Sequence, residues 1–204
     1  VGHGRTERQR GAAVNPGAGT LIEEALPRYD AVERHSKRVP ASPEAAFAAL
    51  ERLRIADLPV TAALLRLRGG PANWFVGLGE AGRMRALDAI APRRIAEHPG
   101  RELLLGDIAR YAALHPERPS EPPSDVAGFA AFDTPGWSKV AMNFAFTAQA
   151  GATLVRTETR VRSTDPRTRR IFSVYWRIVG KGSALIRREI LAALARALAN
   201  GGQE

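Results

Sequence analysis

The sequence predicts an α+β fold in which a curved antiparallel sheet wraps a long C-terminal helix, and three observations carry that prediction. Residues 138–148 alternate, with Val140, Met142, Phe144 and Phe146 on one face and Lys139, Asn143 and Thr147 on the other, which is the period of two of a strand. After Gln149-Ala150-Gly151-Ala152, residues 153–163 alternate again, Val155, Thr157, Thr159 and Val161 against Arg156, Glu158, Arg160 and Arg162, so the two stretches read as a hairpin. From Asp165-Pro166, an N-cap followed by a first-turn proline, the spacing lengthens to that of a helix. Phe172, Trp176, Val179, Ile186, Ile190, Ala193 and Ala197 then form one stripe. If the turn sets Phe146 opposite Val155, Phe144 meets Thr157, Met142 meets Thr159 and Val140 meets Val161. One side of the hairpin is then apolar with two hydroxyls and the other is charged.

The remaining elements follow in order. Residues 1–20 are glycine-rich and poor in apolar side chains and read as a disordered tail. Residues 21–26 make one helical turn that Pro27 ends, and residues 29–39 are a polar strand closed by Pro40. Ser42-Pro43-Glu44 starts a helix that runs to about Arg54, with Phe47, Leu50 and Leu53 inward. A second short helix, residues 59–68, turns Val60, Leu64, Leu65 and Leu67 inward before Gly69-Gly70-Pro71 stops it. Residues 73–76 are at best a short strand. Gly77-Leu78-Gly79-Glu80-Ala81-Gly82 matches the dinucleotide fingerprint literally, but no strand-helix-strand unit surrounds it, so it reads as a glycine-rich connection.

Residues 93–97 and 101–111 flank His98-Pro99-Gly100 and predict a second hairpin, with Leu103, Leu104, Leu105 and Ile108 over a core. Pro116, Pro119, Pro122 and Pro123 make residues 112–125 a loop, either a lid over a pocket mouth or a solvated connection. Residues 126–132 return to strand, and Pro135-Gly136 turns into the last hairpin. In the terminal helix, Gly180 and Gly182 predict a kink or short break at Gly180-Lys181-Gly182-Ser183.

A chain of 204 residues with 45% hydrophobic content supports one domain, residues 21–204, with a substantial core. It contains no cysteine, which excludes disulfides, thiolate metal sites and a cysteine nucleophile. With no spanning segment or signal-peptide core, a cytoplasmic setting is expected. The formal charge of +9 is spread over Arg5, Arg8 and Arg10 in the tail, over Arg156, Arg160 and Arg162 in the last hairpin, and over Arg167, Arg169, Arg170, Arg187 and Arg188 in the helix. We read this as a solvated basic surface. Nucleic acid is disfavoured as a partner, and an anionic membrane surface stays open.

Catalytic and metal-binding patterns are missing. His3, His35, His98 and His115 are isolated in sequence, without metal-ligand spacing, and only His115 would lie beside a pocket mouth if the loop 112–125 is a lid. There is no nucleophile elbow and no phosphate loop with lysine. Glu158 and Arg160 are expected as a cross-strand surface pair with Asn143 rather than an acid-base couple. No metal, cofactor or catalytic residue is assigned.

The order of elements, with Tyr29-Asp30-Ala31-Val32-Glu33 at the start, residues 99–106 in the middle, and Thr157-Glu158-Thr159-Arg160-Val161 followed by Asp165-Pro166 near the end, resembles the SRPBCC superfamily. This START-like, helix-grip group includes polyketide cyclases, plant allergen-type carriers and lipid-transfer domains. The resemblance covers roughly residues 28–199 and implies an apolar cavity between sheet and terminal helix, but no reaction. It implies a wall built from Val140, Met142, Phe144, Phe146, Val155, Thr157, Thr159, Val161, Phe172 and Trp176. The expected function is non-catalytic binding, as carrier or sensor, of a small hydrophobic or amphipathic molecule, oriented by the Thr157 and Thr159 hydroxyls. The alternatives are a cyclase- or aromatase-type enzyme acting on a polyketide-like substrate, and an interaction module using the basic surface.

Overall fold

In a computed structural model of the chain, residues 19–68, 82–90, 93–111 and 116–200 are described. The expectations for the tail up to residue 18, the strand at 73–76, most of the glycine-rich connection, His3 and His115 lie outside these residues. In chain order the elements are α1 (Leu21–Ala25), β1 (Ala31–Val39), α2 (Pro43–Arg52), a 3-10 turn (Ile55–Asp57), α3 (Pro59–Arg68), α4 (Ala86–Ile90), β2 (Arg93–His98), β3 (Glu102–Ala109), α5 (Val126–Ala131), β4 (Ser138–Gln149), β5 (Ala152–Ser163) and α6 (Pro166–Asn200). The strands form one antiparallel sheet in the order β1-β5-β4-β3-β2.

Local chemistry accounts for the boundaries. Gly100 and Gly151 take positive φ, 72° and 65°, at the tips of the β2-β3 and β4-β5 hairpins, where a side chain would be strained. Ser42 Oγ accepts from the Ala45 amide at 3.2 Å to start α2. Across the last hairpin Phe146 pairs with Val155, Phe144 with Thr157, Met142 with Thr159 and Val140 with Val161, the register that the alternation requires.

The sheet is covered on both faces. On one, α6 packs against β1, β5 and β4 and against α2 and α3. Two apolar clusters form there. The first joins Leu103, Phe144, Phe146 and Val155 to Leu50 and Leu58 and to Ile190 and Leu194 of α6. The second joins Ala109, Tyr111 and Val161 to Phe172 near the start of the same helix. On the other face α1 and α5 cover Leu104, Ile108 and Ala141 with Leu21, Ile22, Leu26 and Phe129.

This cover overturns three expectations. Residues 126–132 are not a strand: Asp125 Oδ1 accepts from the Gly128 amide at 2.7 Å and caps α5. That short helix drops Phe129 onto Gly106, where an added Cβ would come within 2.9 Å of the ring. Nor is the charged side of the last hairpin solvated throughout: Thr147 and Arg156 are exposed near the turn, but Lys139, Asn143 and Arg160 are buried. Arg160 is 6% exposed. It donates to Leu26 O at 3.0 Å at the end of α1 and to Glu158 Oε1 at 2.7 Å, stacking over the Tyr29 ring. Asn143 is buried beside it. The third correction concerns α6, which runs unbroken through Gly180 and Gly182. A Cβ on Gly180 would sit 3.2 Å from the Trp176 indole, so the glycine there lets the indole lie across the helix without interrupting it.

Candidate functional site

The two clusters under α6 grip its ends and leave a gap at its middle. A cavity of about 910 Å³ opens there between the sheet and the helix. Leu105 and Asp107 of β3, Val140 and Met142 of β4 and Thr159 of β5 form its floor. Phe172, Tyr175, Trp176, Val179 and Ile186 of α6 form one wall, because spacings of three and four residues keep them on one side of a helix. Leu64 and Leu65 of α3 and Ile90 of α4 face them. Glu189 of α6 fixes that opposite wall: its carboxylate accepts from the Val60 amide at 2.8 Å and the Thr61 amide at 2.7 Å, which satisfies the first-turn donors of α3.

Besides the Thr159 and Ser183 hydroxyls and Asp88, which Arg85 holds at 2.8 Å, two charged groups interrupt this apolar lining. Asp107 is one: Arg118 donates to both of its oxygens, at 2.9 and 3.1 Å, and the Tyr111 hydroxyl donates at 2.9 Å. Burial, reinforced by the Asp107 charge, pushes the Tyr111 phenol well above its ordinary value. The hydrogen bond to Asp107 raises Arg118. This group ties the loop after residue 115 to the sheet, as does the backbone bridge between Arg110 and Glu117, and it brings Pro116 and Arg118 to the cavity edge.

Arg187 is the other. Expected on the basic surface, it is instead 6% exposed and lines the cavity. Its Nη1 donates to the Met142 thioether, and its Nη2 donates to Ser183 Oγ at 3.0 Å, one helical turn away. Burial lowers its pKa to about 10, against the opposing pull of Glu33. Among the described residues, the buried side-chain polar atoms without a hydrogen-bond partner are Arg187 Nε, Thr157 Oγ1 and Thr159 Oγ1. Glu33 faces the same side of the sheet, paired in register with Thr159, and its carboxylate lies 2.6 Å from His35 Nε2. His35 is therefore half-buried and engaged, while His98 is exposed at the end of β2.

Of the wall residues implied by the resemblance, Val140, Met142, Thr159, Phe172 and Trp176 line the cavity. Phe144, Phe146 and Val155 are packed in the first cluster under α6 and Val161 in the second, and Thr157 is buried outside the cavity lining. The alternation assigned the correct face but could not say where along it side chains fill the space. Arg187 was legible in one respect only. It lies four residues after Ser183 and three before Ile190, a spacing that places a charged residue on the apolar stripe.

A second hollow of about 690 Å³ lies between α2 and the last turns of α6, bordered by Ala45, Arg52, Asp57 and Arg196. None of the unpartnered buried atoms belongs to it. Among the described residues no group of three or more His, Asp or Glu side chains is placed to hold a metal ion, and no helix is long and apolar enough to cross a membrane.

Fold and site together define an α+β protein with an open five-stranded antiparallel sheet, a long C-terminal helix and an apolar cavity between them. No family model matches the chain, and no curated protein does. The crystal structure of TTHA0849 from Thermus thermophilus is similar with a TM-score of 0.31 and 8% identity, over 82% of this chain and 99% of that one. At that level neither a fold family nor a ligand transfers.

Proposed function

We propose that the chain is a START-like, helix-grip binding protein of the SRPBCC type, holding one small hydrophobic or amphipathic molecule between the sheet and α6 without reacting it. The observation that supports this reading is the cavity itself, about 910 Å³ with aromatic and aliphatic side chains from α3, β4 and α6 around it. Small-molecule sites run from roughly 300 to 1,000 Å³ and are lined in this way, with few polar groups. An enzyme of the cyclase type needs a titratable group free to exchange a proton with its substrate. Of the two acids on the cavity lining, Asp107 accepts three hydrogen bonds from Arg118 and Tyr111 and Asp88 accepts one from Arg85, an arrangement that favours holding over proton transfer.

Native mass spectrometry of the purified protein, repeated after denaturation, tests the proposal. A bound mass that disappears on denaturation is the expected result. A protein that carries nothing and also fails to take up an added apolar fluorophore overturns it.

A further inference from the structure

We infer that Arg187 is the anion anchor of the cavity and that the bound molecule is an amphipathic carboxylic acid, held as its monoanion with the carboxylate on the guanidinium and the hydrocarbon part along the Phe172 and Trp176 wall. The inference rests on the cavity being a ligand site.

A guanidinium taken out of water without a counter-charge is unfavourable, so a buried arginine ordinarily has a carboxylate beside it. The protein follows that rule at its other buried arginine among the described residues: Arg160, with a side chain 7% exposed, is matched by Glu158 at 2.7 Å. Arg187 is buried to the same degree as Arg160, yet among the described residues it forms no ion pair. Its two acceptors, the Met142 thioether and the Ser183 hydroxyl, are both neutral. The nearby acid whose field reaches it, Glu33, is engaged by His35 at 2.6 Å.

Met142 and Ser183 both line the cavity, so the guanidinium is clamped between two of its wall residues. A thioether is a weak acceptor on a side chain with several rotatable bonds. A carboxylate arriving from the cavity takes its place on Nη1 as Met142 turns aside, converting a weak contact into a charge-assisted one. Thr159, opposite Met142 in the sheet, brings a buried hydroxyl without a partner to the same spot. One guanidinium balances at most a single negative charge, and the Glu33 carboxylate in its field repels a second, which disfavours a phosphate dianion.

The test is calorimetric titration of the full chain, wild type and Arg187→Met, with dodecanoate and with dodecan-1-ol, which share a chain and differ in the head. Wild type is expected to bind the acid more tightly than the alcohol. The R187M protein should lose roughly 10- to 100-fold in affinity for the acid while its affinity for the alcohol stays within about threefold. It should also unfold at the same or a higher denaturant concentration, since an apolar side chain of similar length removes an uncompensated buried charge. Undiminished dodecanoate binding by R187M overturns the anchor. Should R187M not fold, the wild-type ratio decides: an alcohol that binds as tightly as the acid overturns the anchor alone, leaving the cavity reading intact, whereas binding of neither probe overturns both.

Discussion

Asp165 stands where β5 hands the chain to α6, and its two oxygens serve both sides of the junction. Oδ1 accepts from the Thr168 amide at 2.9 Å, and Oδ2 accepts from the Thr168 hydroxyl at 2.6 Å and from the Gly136 amide at 2.7 Å. Those donors, Thr168 foremost, pull its pKa from 3.8 to about 2. A depressed carboxylate contributes stability above its unfolded pKa and loses it as pH falls through the folded one. The denaturation midpoint of the wild type should therefore fall more steeply between about pH 4 and pH 2 than that of Asp165→Asn, measured by urea titration across that range. Parallel slopes would show that the cap is indifferent to charge. The same residue was readable as a helix start from Asp165-Pro166 in the sequence; its bond to Gly136, twenty-nine positions away, was not, because only the fold brings the two together.

At the scale of the element, α6 is the informative case. Two glycines in a helix interior predict a break, yet the helix is continuous over 35 residues, because packing at both ends outweighs a local preference of about 1 kcal/mol per glycine. The two glycines should respond differently to alanine. A Cβ on Gly182 meets only Leu64 Cδ1, at 4.0 Å, so Gly182→Ala should stabilise the protein by up to about 1 kcal/mol. On Gly180 the new methyl group meets the Trp176 ring at 3.2 Å, so the gain should shrink or reverse unless the indole shifts. Chemical denaturation of the two variants separates these outcomes, and equal stabilisation would mean that Trp176 moves freely. The misread stretch at 126–132 teaches the converse. Seven residues are too few for alternation and helical spacing to be told apart, and what decides is the burial of Phe129 over Gly106 from outside the segment.

For the molecule as a whole, the face of the sheet away from α6 matters as much as the face beneath it. Glu102 ties α1 to the sheet, accepting from the Leu21 amide at 2.9 Å and from Asn143 Nδ2 at 2.7 Å, while Arg160 holds the other end of α1 through Leu26 O. Glu102→Ala removes the acceptor of two buried donors and should cost on the order of 2 kcal/mol. Hydrogen exchange should show the loss concentrated in the amides of α1, with β4 and β5 little changed. Uniform acceleration across the sheet would mean that α1 is part of the central cooperative unit. By itself the sequence determined the register of the last hairpin, the starts of α2 and α6, and which hairpin face meets the helix, because each depends on neighbours within a few positions. Only the tertiary structure decided that Lys139, Asn143 and Arg160 on the charged face are covered, that Phe144 is packed while Met142 borders open space, and that Arg187 is buried with neutral partners. Those outcomes depend on how segments far apart in the chain divide the space between them, and no local pattern carries that information.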